Sequence, residues 1–350
     1  QMDGKSGALE YNQNLLDSFN VSLNQSGFPI STAEIRSSPL VIDIDNNGTK
    51  EIIVGDYTGM VQIYNSDGTV YNSNFFPFNT GNQIWGSPAS ADLDGDGYED
   101  FVIASKSKHL YIFDHTGLKV DYETDVYLIG TPAIGNIDND DGLEIVFSGY
   151  SSGNKLFVIN PDGTDVQGFP YALNEKAKAG PALADFNNNG QDDIVIGTDD
   201  DHIYVILDDG SVAPGFPFLG NDKFRSAPSV AEVNGEKIIF VGCNDNNFYA
   251  INPDGTLRFY FPTDGRIETS PSFTMLNENI YIFFASRDQS IYAIDIDGNI
   301  LEGWPIDLPG YIKGNIIFSD FDGDNIDDLI IINNGLEPTS FQYLSKSSPK

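Results

Sequence analysis

Residues 85–114 read WGSPASADLDGDGYEDFVIASKSKHLYIFD, and this stretch decides the fold. It contains a short strand ending in a ladder of acids, a second apolar strand, a polar turn and a third strand. The ladder is Asp92, Asp94, Asp96, Gly97 and Asp100. Alternate acids put three carboxylates on one side of a tight loop, and Gly97 supplies the positive-φ turn beneath them. Hard oxygen ligands at positions 1, 3 and 5, with a fourth acid at position 9, suit Ca²⁺ better than a transition metal. The flanks, ASADL and DFVIAS, read as strands and not as the helices of an EF-hand. The stretch is read as a calcium loop inside a β-hairpin.

Variants of this unit recur along almost the whole chain. A small residue followed by Pro opens each one: Ser38-Pro39, Ser87-Pro88, Thr131-Pro132, Gly180-Pro181, Ala227-Pro228 and Ser270-Pro271, with Gly314-Asn315 in the seventh slot. The prolines are 43–49 residues apart, in the range of propeller blades or solenoid repeats. Each opening leads into three strands, such as LVIDID, EIIVGD and MVQIYN. Turns then follow at Asp67-Gly68, Asp162-Gly163, Asp209-Gly210, Asp254-Gly255 and Asp297-Gly298, strong hairpin signals. A weaker fourth strand is expected to end in an aromatic-Pro pair, as at Phe169-Pro170, Phe216-Pro217, Phe261-Pro262 and Trp304-Pro305. Second strands such as Ile52-Ile53-Val54 are apolar on both sides, as sheets stacked face to face require.

The expected fold is therefore all-β: one seven-bladed β-propeller of four-stranded antiparallel blades over residues 1–350, opening near 39, 88, 132, 181, 228, 271 and 315. The last unit has three strands, and residues 20–29, NVSLNQSGFP, resemble the missing fourth. The N-terminal strand is thus expected to close the ring by pairing with the C-terminal blade.

These residues resemble the FG-GAP, or VCBS-type, repeat family of integrin α-chain heads and bacterial surface proteins. The resemblance rests on openings such as Trp85-Gly86-Ser87-Pro88, Ile129-Gly130-Thr131-Pro132 and Arg225-Ser226-Ala227-Pro228, and on a calcium loop in five of seven units. The chain is also similar to certain propeller lectins and calcium-dependent polysaccharide lyases. The resemblance implies fold and calcium; it says little about activity, because one fold hosts many functions.

Five loops are candidate structural calcium sites, for up to five ions. Asp92, Asp94, Asp96 and Asp100 fill every slot, as do Asp320, Asp322, Asp324 and Asp328, where Asn325 replaces the glycine. Asp43, Asp45, Asn47 and Glu51 include one neutral ligand. Asn136, Asp138, Asp140 and Glu144 have their glycine displaced to Gly142. Asp185, Asn187, Asn189 and Asp193 carry only two formal charges and make the weakest set. Units five and six lack the ladder and are expected to be plain hairpins. Acids also simply solvate turns, the competing explanation for every loop.

The chain carries 52 acidic and 18 basic residues, a formal net charge of −34. Such a balance argues against general nucleic-acid binding, which needs clustered Lys and Arg. The single cysteine, Cys243, allows no intrachain disulfide. Loops that need millimolar calcium point outside the cell, so an extracellular or cell-surface setting is expected, within a larger secreted polypeptide. No apolar run approaches the ~18 residues of a membrane span.

Catalytic signals are sparse. His109, His115 and His202 have no Cys or Glu at metal-ligand spacing. No nucleophile elbow, zinc-protease motif or P-loop is present. One distribution stands out: seven of the eighteen basic residues, Arg36, Lys176, Lys178, Lys223, Arg225, Arg266 and Lys313, sit in the connections between units. Arg36, Trp85, Lys178 and Arg225 each lie three residues before a Pro, so a propeller would place them at equivalent radii. With Lys313 they form a candidate ligand face for an anionic glycan. The expected function is a calcium-binding adhesion or binding module for a glycan or surface protein. A calcium-dependent polysaccharide lyase and a purely structural spacer are the rivals.

Overall fold

The computed structural model describes residues 27–344 apart from 73, 152, 277–278, 311, 313, 320–327 and 334–339. Among the described residues, six four-stranded antiparallel sheets and one three-stranded sheet follow one another along the chain. They span residues 40–79, 89–123, 133–172, 182–219, 229–262, 272–307 and 317–344. Each is a simple meander in which strands adjacent in sequence are adjacent in space. The chain divides into two compact units, one ending at Pro217 and the other beginning at Phe218.

The second strands are buried along their whole length in Asp100–Ser105, Glu144–Ser148 and Asp193–Gly197. Strand side chains alternate between faces, and here both faces meet another sheet. Phe101 and Ile103 pack against Ile53, Ile63 and Phe76 of the first sheet, while Val102 and Ala104 pack against Ile145 and Phe147 of the third. Val146 in turn joins Ile194 and Ile196 of the fourth. In the other unit, Phe240 and Phe248 stack against Ile282 and Phe284, with the Phe248 and Phe284 rings 4.1 Å apart. First and fourth strands are only partly buried. An apolar run without alternation thus becomes a strand sandwiched between sheets.

At three of the openings the residue before the proline links successive sheets. The Ser38 N–H donates to Ser87 Oγ at 2.9 Å, and the Ser87 N–H donates to Thr131 Oγ1 at 3.0 Å. In the other unit the Ser270 N–H donates to Asn315 Oδ1 at 3.0 Å, so Asn315 fills the seventh slot. Small residues are needed because the backbones nearly touch: a Cβ on Gly86 would lie 2.3 Å from the Gly130 carbonyl oxygen.

The Asp-Gly turns form as expected, with Gly68, Gly163, Gly210, Gly255 and Gly298 all at φ of +79° to +86°. The aromatic-Pro pairs sit elsewhere than expected. Phe169-Pro170, Phe216-Pro217 and Trp304-Pro305 precede the fourth strands Tyr171–Ala172, Phe218–Leu219 and Ile306–Asp307; only Phe261-Pro262 ends one, Leu257–Pro262. Proline has no N–H to give a ladder, so pairing begins after it and the strand is two residues long. Where no such pair intervenes, the fourth strand runs to seven residues, Gly117–Glu123. The fifth sheet opens with a tight hairpin, Val233 opposite Glu236, and in the sixth Leu276 pairs with Asn279. Residues 20–26 of the expected closing strand lie outside the described residues.

Candidate functional site

In a meander, the loops between strands 1 and 2 and the Asp-Gly turns share one end of each sheet. The turns between strands 2 and 3 and the connections to the next sheet share the other. In each sheet that has one, the acid ladder is therefore at one end and the basic connection at the opposite one.

Four acid ladders lie in the described residues, and all fold into chains of side-chain-to-backbone bonds. In the second sheet Asp92 Oδ2 accepts from the Gly97 N–H, Asp94 Oδ1 from Asp96 and Asp96 Oδ1 from Tyr98, at 2.8–3.2 Å. Asp43 and Asp185 accept from Gly48 and Gly190 in the same way. Gly48, Gly97 and Gly190 have φ between +87° and +95°. The third ladder differs: its glycine is displaced, and Asp140 Oδ1 accepts from the Gly142 N–H at 2.6 Å. Asp320, Asp322, Asp324 and Lys313 lie outside the described residues. Asp328 begins the second strand of the last sheet, Asp328–Asn333.

The position-9 carboxylates are the buried members. Glu51, Glu144 and Asp193 are fully buried, and Asp100 nearly so. One oxygen of each accepts a backbone N–H, from Ile44, Ile137, Phe186 and Leu93 respectively. Asp43, Asp45 and Glu51 bring ligand atoms within 4.8 Å of one another, as do Asp92, Asp94 and Asp100, and Asp138, Asp140 and Glu144. Glu51 Oε1, Asp92 Oδ1, Asn136 Oδ1 and Glu144 Oε1 are buried and have no hydrogen-bond partner among the described residues. A buried acceptor with no donor is costly, and a hard cation is the partner this oxygen-only set fits. Asp193 is different: its second oxygen accepts from the Asp208 N–H at 3.1 Å, so that ladder has one fewer open acceptor. In the second sheet, Lys119 Nζ lies 2.9 Å from Asp114 and 3.9 Å from Asp94, a counter-charge beside the ladder.

Burial, with a smaller push from neighbouring carboxylates, raises the pKa of Asp100 and Asp193 to about 6 against the pull of their backbone donors. Glu51 and Glu144 are raised for the same reasons. A bound dication would reverse this preference and keep all four ionised.

At the opposite end, Arg36 and Trp85 come together. The Arg36 guanidinium lies 4.2 Å from the Tyr57 ring and 4.9 Å from the Trp85 ring, with its Nε 2.8 Å from Glu34 Oε1. Lys106 Nζ lies 4.6 Å from the Trp85 ring and donates to Gln83 Oε1 at 2.8 Å. Lys178 and Arg225 each have interactions of their own, and they belong to different units. Sequence reasoning missed Tyr57, Lys106 and Lys108. The signal was positional: Tyr57, Lys106 and Tyr150 occupy the same place after successive second strands, and each donates its N–H to the preceding connection. The histidines sit at strand edges or turns: His109 against Asp121, His202 near Asp200, His115 stacked on Tyr98.

Residues 25–103 match the family model described as FG-GAP-like repeat. The match covers 79 of the 350 residues, so it identifies an FG-GAP-like repeat within the first two sheets. No curated protein matches the sequence. Among solved structures, the chain is similar to BBS1N in complex with ARL6DN, at 12% identity over 91% of this chain and 93% of that one, with a TM-score of 0.62. It is similar to BamB from Moraxella catarrhalis at 13% identity, over 90% and 99% of the two chains, TM-score 0.53. It is also similar to Saccharomyces cerevisiae Sqt1 at 10% identity, over 85% and 82%, TM-score 0.63. These neighbours are propeller-type folds, and the likeness extends to fold alone.

Proposed function

We propose that this FG-GAP-like repeat protein is a non-catalytic interaction module, a seven-bladed propeller held by structural calcium that presents a binding face for an extracellular glycan or surface protein. The observation that carries the reading is the set of buried carboxylate and amide oxygens left without donors inside the acid ladders. They make sense as ligands of a dication, and calcium-stabilised acid loops leave the other end of the sheets free for recognition. The fifth ladder, at Asp320, Asp322, Asp324 and Asp328, is proposed to hold an ion by the same pattern. BBS1N, a structural neighbour, was crystallised in complex with ARL6DN, which supports an interaction role.

Seven-fold closure is supported locally. A Cβ on Gly27 would meet the Asp67 carbonyl oxygen, and Gly27 packs on Gly68 as Gly168 packs on Gly210. Gly27-Phe28-Pro29 thus stands to the first sheet as Gly168-Phe169-Pro170 stands to the fourth, the place a preceding fourth strand would take.

Titration calorimetry of calcium into chelator-stripped protein tests the metal reading. Several binding events with Kd at or below millimolar are expected, and weaker binding in Glu51→Gln and Glu144→Gln. No calcium heat would overturn it. A glycan array with and without chelator tests recognition, with binding expected only in calcium.

A further inference from the structure

The end of the sheets away from the acid ladders carries a continuous row of cations and aromatic rings between residues 36 and 176. The turn Lys106-Ser107-Lys108 is its centre. The Lys106 N–H donates to the Gln83 carbonyl at 2.9 Å, and the Lys108 carbonyl accepts from the Thr124 N–H at 2.7 Å, so this turn is fixed between two connections. Its two ammonium groups meet different rings: Lys106 Nζ lies 4.6 Å from the Trp85 ring, Lys108 Nζ 5.5 Å from the Tyr127 ring. Beyond Trp85 come Arg36 and Tyr57. Beyond Tyr127, whose carbonyl accepts the Tyr150 N–H at 2.6 Å, comes Tyr150, with Lys176 Nζ 5.6 Å from its ring.

The corresponding turn positions of the fifth and sixth sheets hold Asn244 and Arg287, and Arg287 is ion-paired with Glu268 at 2.5 Å. In a chain of net charge −34, most surfaces repel an anion. Cations gathered on one surface draw it there, and steer its approach.

We propose that this row is the binding surface for an acidic polysaccharide, resting on the reading of the protein as an interaction module. The ammonium groups of Lys106, Lys108 and Lys176 would take the carboxylates, while Arg36, paired with Glu34 at 2.8 Å, holds the Trp85 and Tyr57 rings. Tyr127, 45% exposed, and the outer edges of Tyr57 and Tyr150 would meet the flat apolar faces of the sugar rings. Trp85 is different: with Arg36, Lys106 and Tyr57 all against its ring, it anchors the cations and is not an open stacking platform for a nucleic-acid base. An acidic peptide would use the cations and leave the tyrosine faces unused.

The test uses the full chain in 1 mM CaCl₂ with hyaluronan oligosaccharides as probe, poly-L-glutamate and dextran as comparisons, at 20 and 150 mM NaCl. Wild type is expected to bind hyaluronan, more weakly at the higher salt, and to ignore dextran. Lys106→Glu/Lys108→Glu and, separately, Tyr127→Ala are expected to weaken binding about tenfold or more, with unchanged melting temperature. Lys237→Glu, in the hairpin at the other end of the fifth sheet, is expected to bind as wild type. Hyaluronan binding unaffected by either substitution overturns the surface. Equal affinity for poly-L-glutamate, or loss with the lysines but not with Tyr127, overturns the polysaccharide as occupant. Failure to bind hyaluronan alongside intact calcium-dependent melting sinks this inference and leaves the calcium reading standing.

Discussion

Asp100 shows how one residue can be both a liability and a ligand. In the ion-free protein its pKa is raised to about 6 by burial and by Asp94 and Asp114 nearby. A carboxyl with a folded pKa above its unfolded value favours folding while protonated, and that contribution is lost as pH rises through about 6. Asp100→Asn is therefore expected to be more stable than wild type in chelator at pH 7, by about 2–3 kcal/mol for a shift of roughly two units. At pH 4 the advantage should shrink. In calcium the order should reverse, because the amide is a poorer ligand. Urea denaturation of both proteins in EDTA and in calcium measures all three conditions; the same order throughout would show that Asp100 holds no ion. The ladder itself was legible from alternate acids and a following glycine. That Asp193 gives its second oxygen to the Asp208 N–H was not, because Asp208 reaches it from a turn fifteen residues away.

At the level of the element, the opening Ser/Thr-Pro step was legible as punctuation, but its work was hidden until sheets were placed side by side. Ser87 both accepts from the Ser38 N–H and donates its own N–H to Thr131. Ser87→Ala keeps the backbone donor and removes one acceptor, so a loss of about 1 kcal/mol is expected. Gly86→Ala is expected to cost much more, about 3 kcal/mol or more, because a methyl group would sit 2.3 Å from a backbone oxygen that cannot swing away. Thermal melts of the two variants check the ranking; a Gly86→Ala protein as stable as Ser87→Ala would mean the sheets separate easily. Strand identity followed from apolar runs and Asp-Gly turns. The fourth strands were misplaced because an aromatic-Pro pair reads equally well as an ending and as a beginning. Only the ladder register shows that pairing starts after the proline.

For the whole molecule, the charge of −34 offers a second explanation for any effect of calcium, since added ions also screen repulsion between carboxylates. The two explanations differ in concentration and in ion identity. In 0.1 M NaCl the screening length is already about 10 Å, so a further 1 mM CaCl₂ barely alters it. Carboxylates clustered within 4.8 Å of one another are inside that distance, and their repulsion persists until an ion sits among them. Specific binding to the folded state stabilises by mass action: at a calcium concentration 100-fold above Kd each site adds about 2.7 kcal/mol. Magnesium prefers a smaller octahedral shell and gives up its water reluctantly, so it should substitute poorly. The expected result, in 0.1 M NaCl, is a melting temperature several degrees higher with 1 mM CaCl₂, a smaller rise with 1 mM MgCl₂, and no change with 3 mM additional NaCl. Equal rises from calcium and magnesium would assign the effect to general divalent screening, and the buried acceptors of Glu51 and Glu144 would then need another partner.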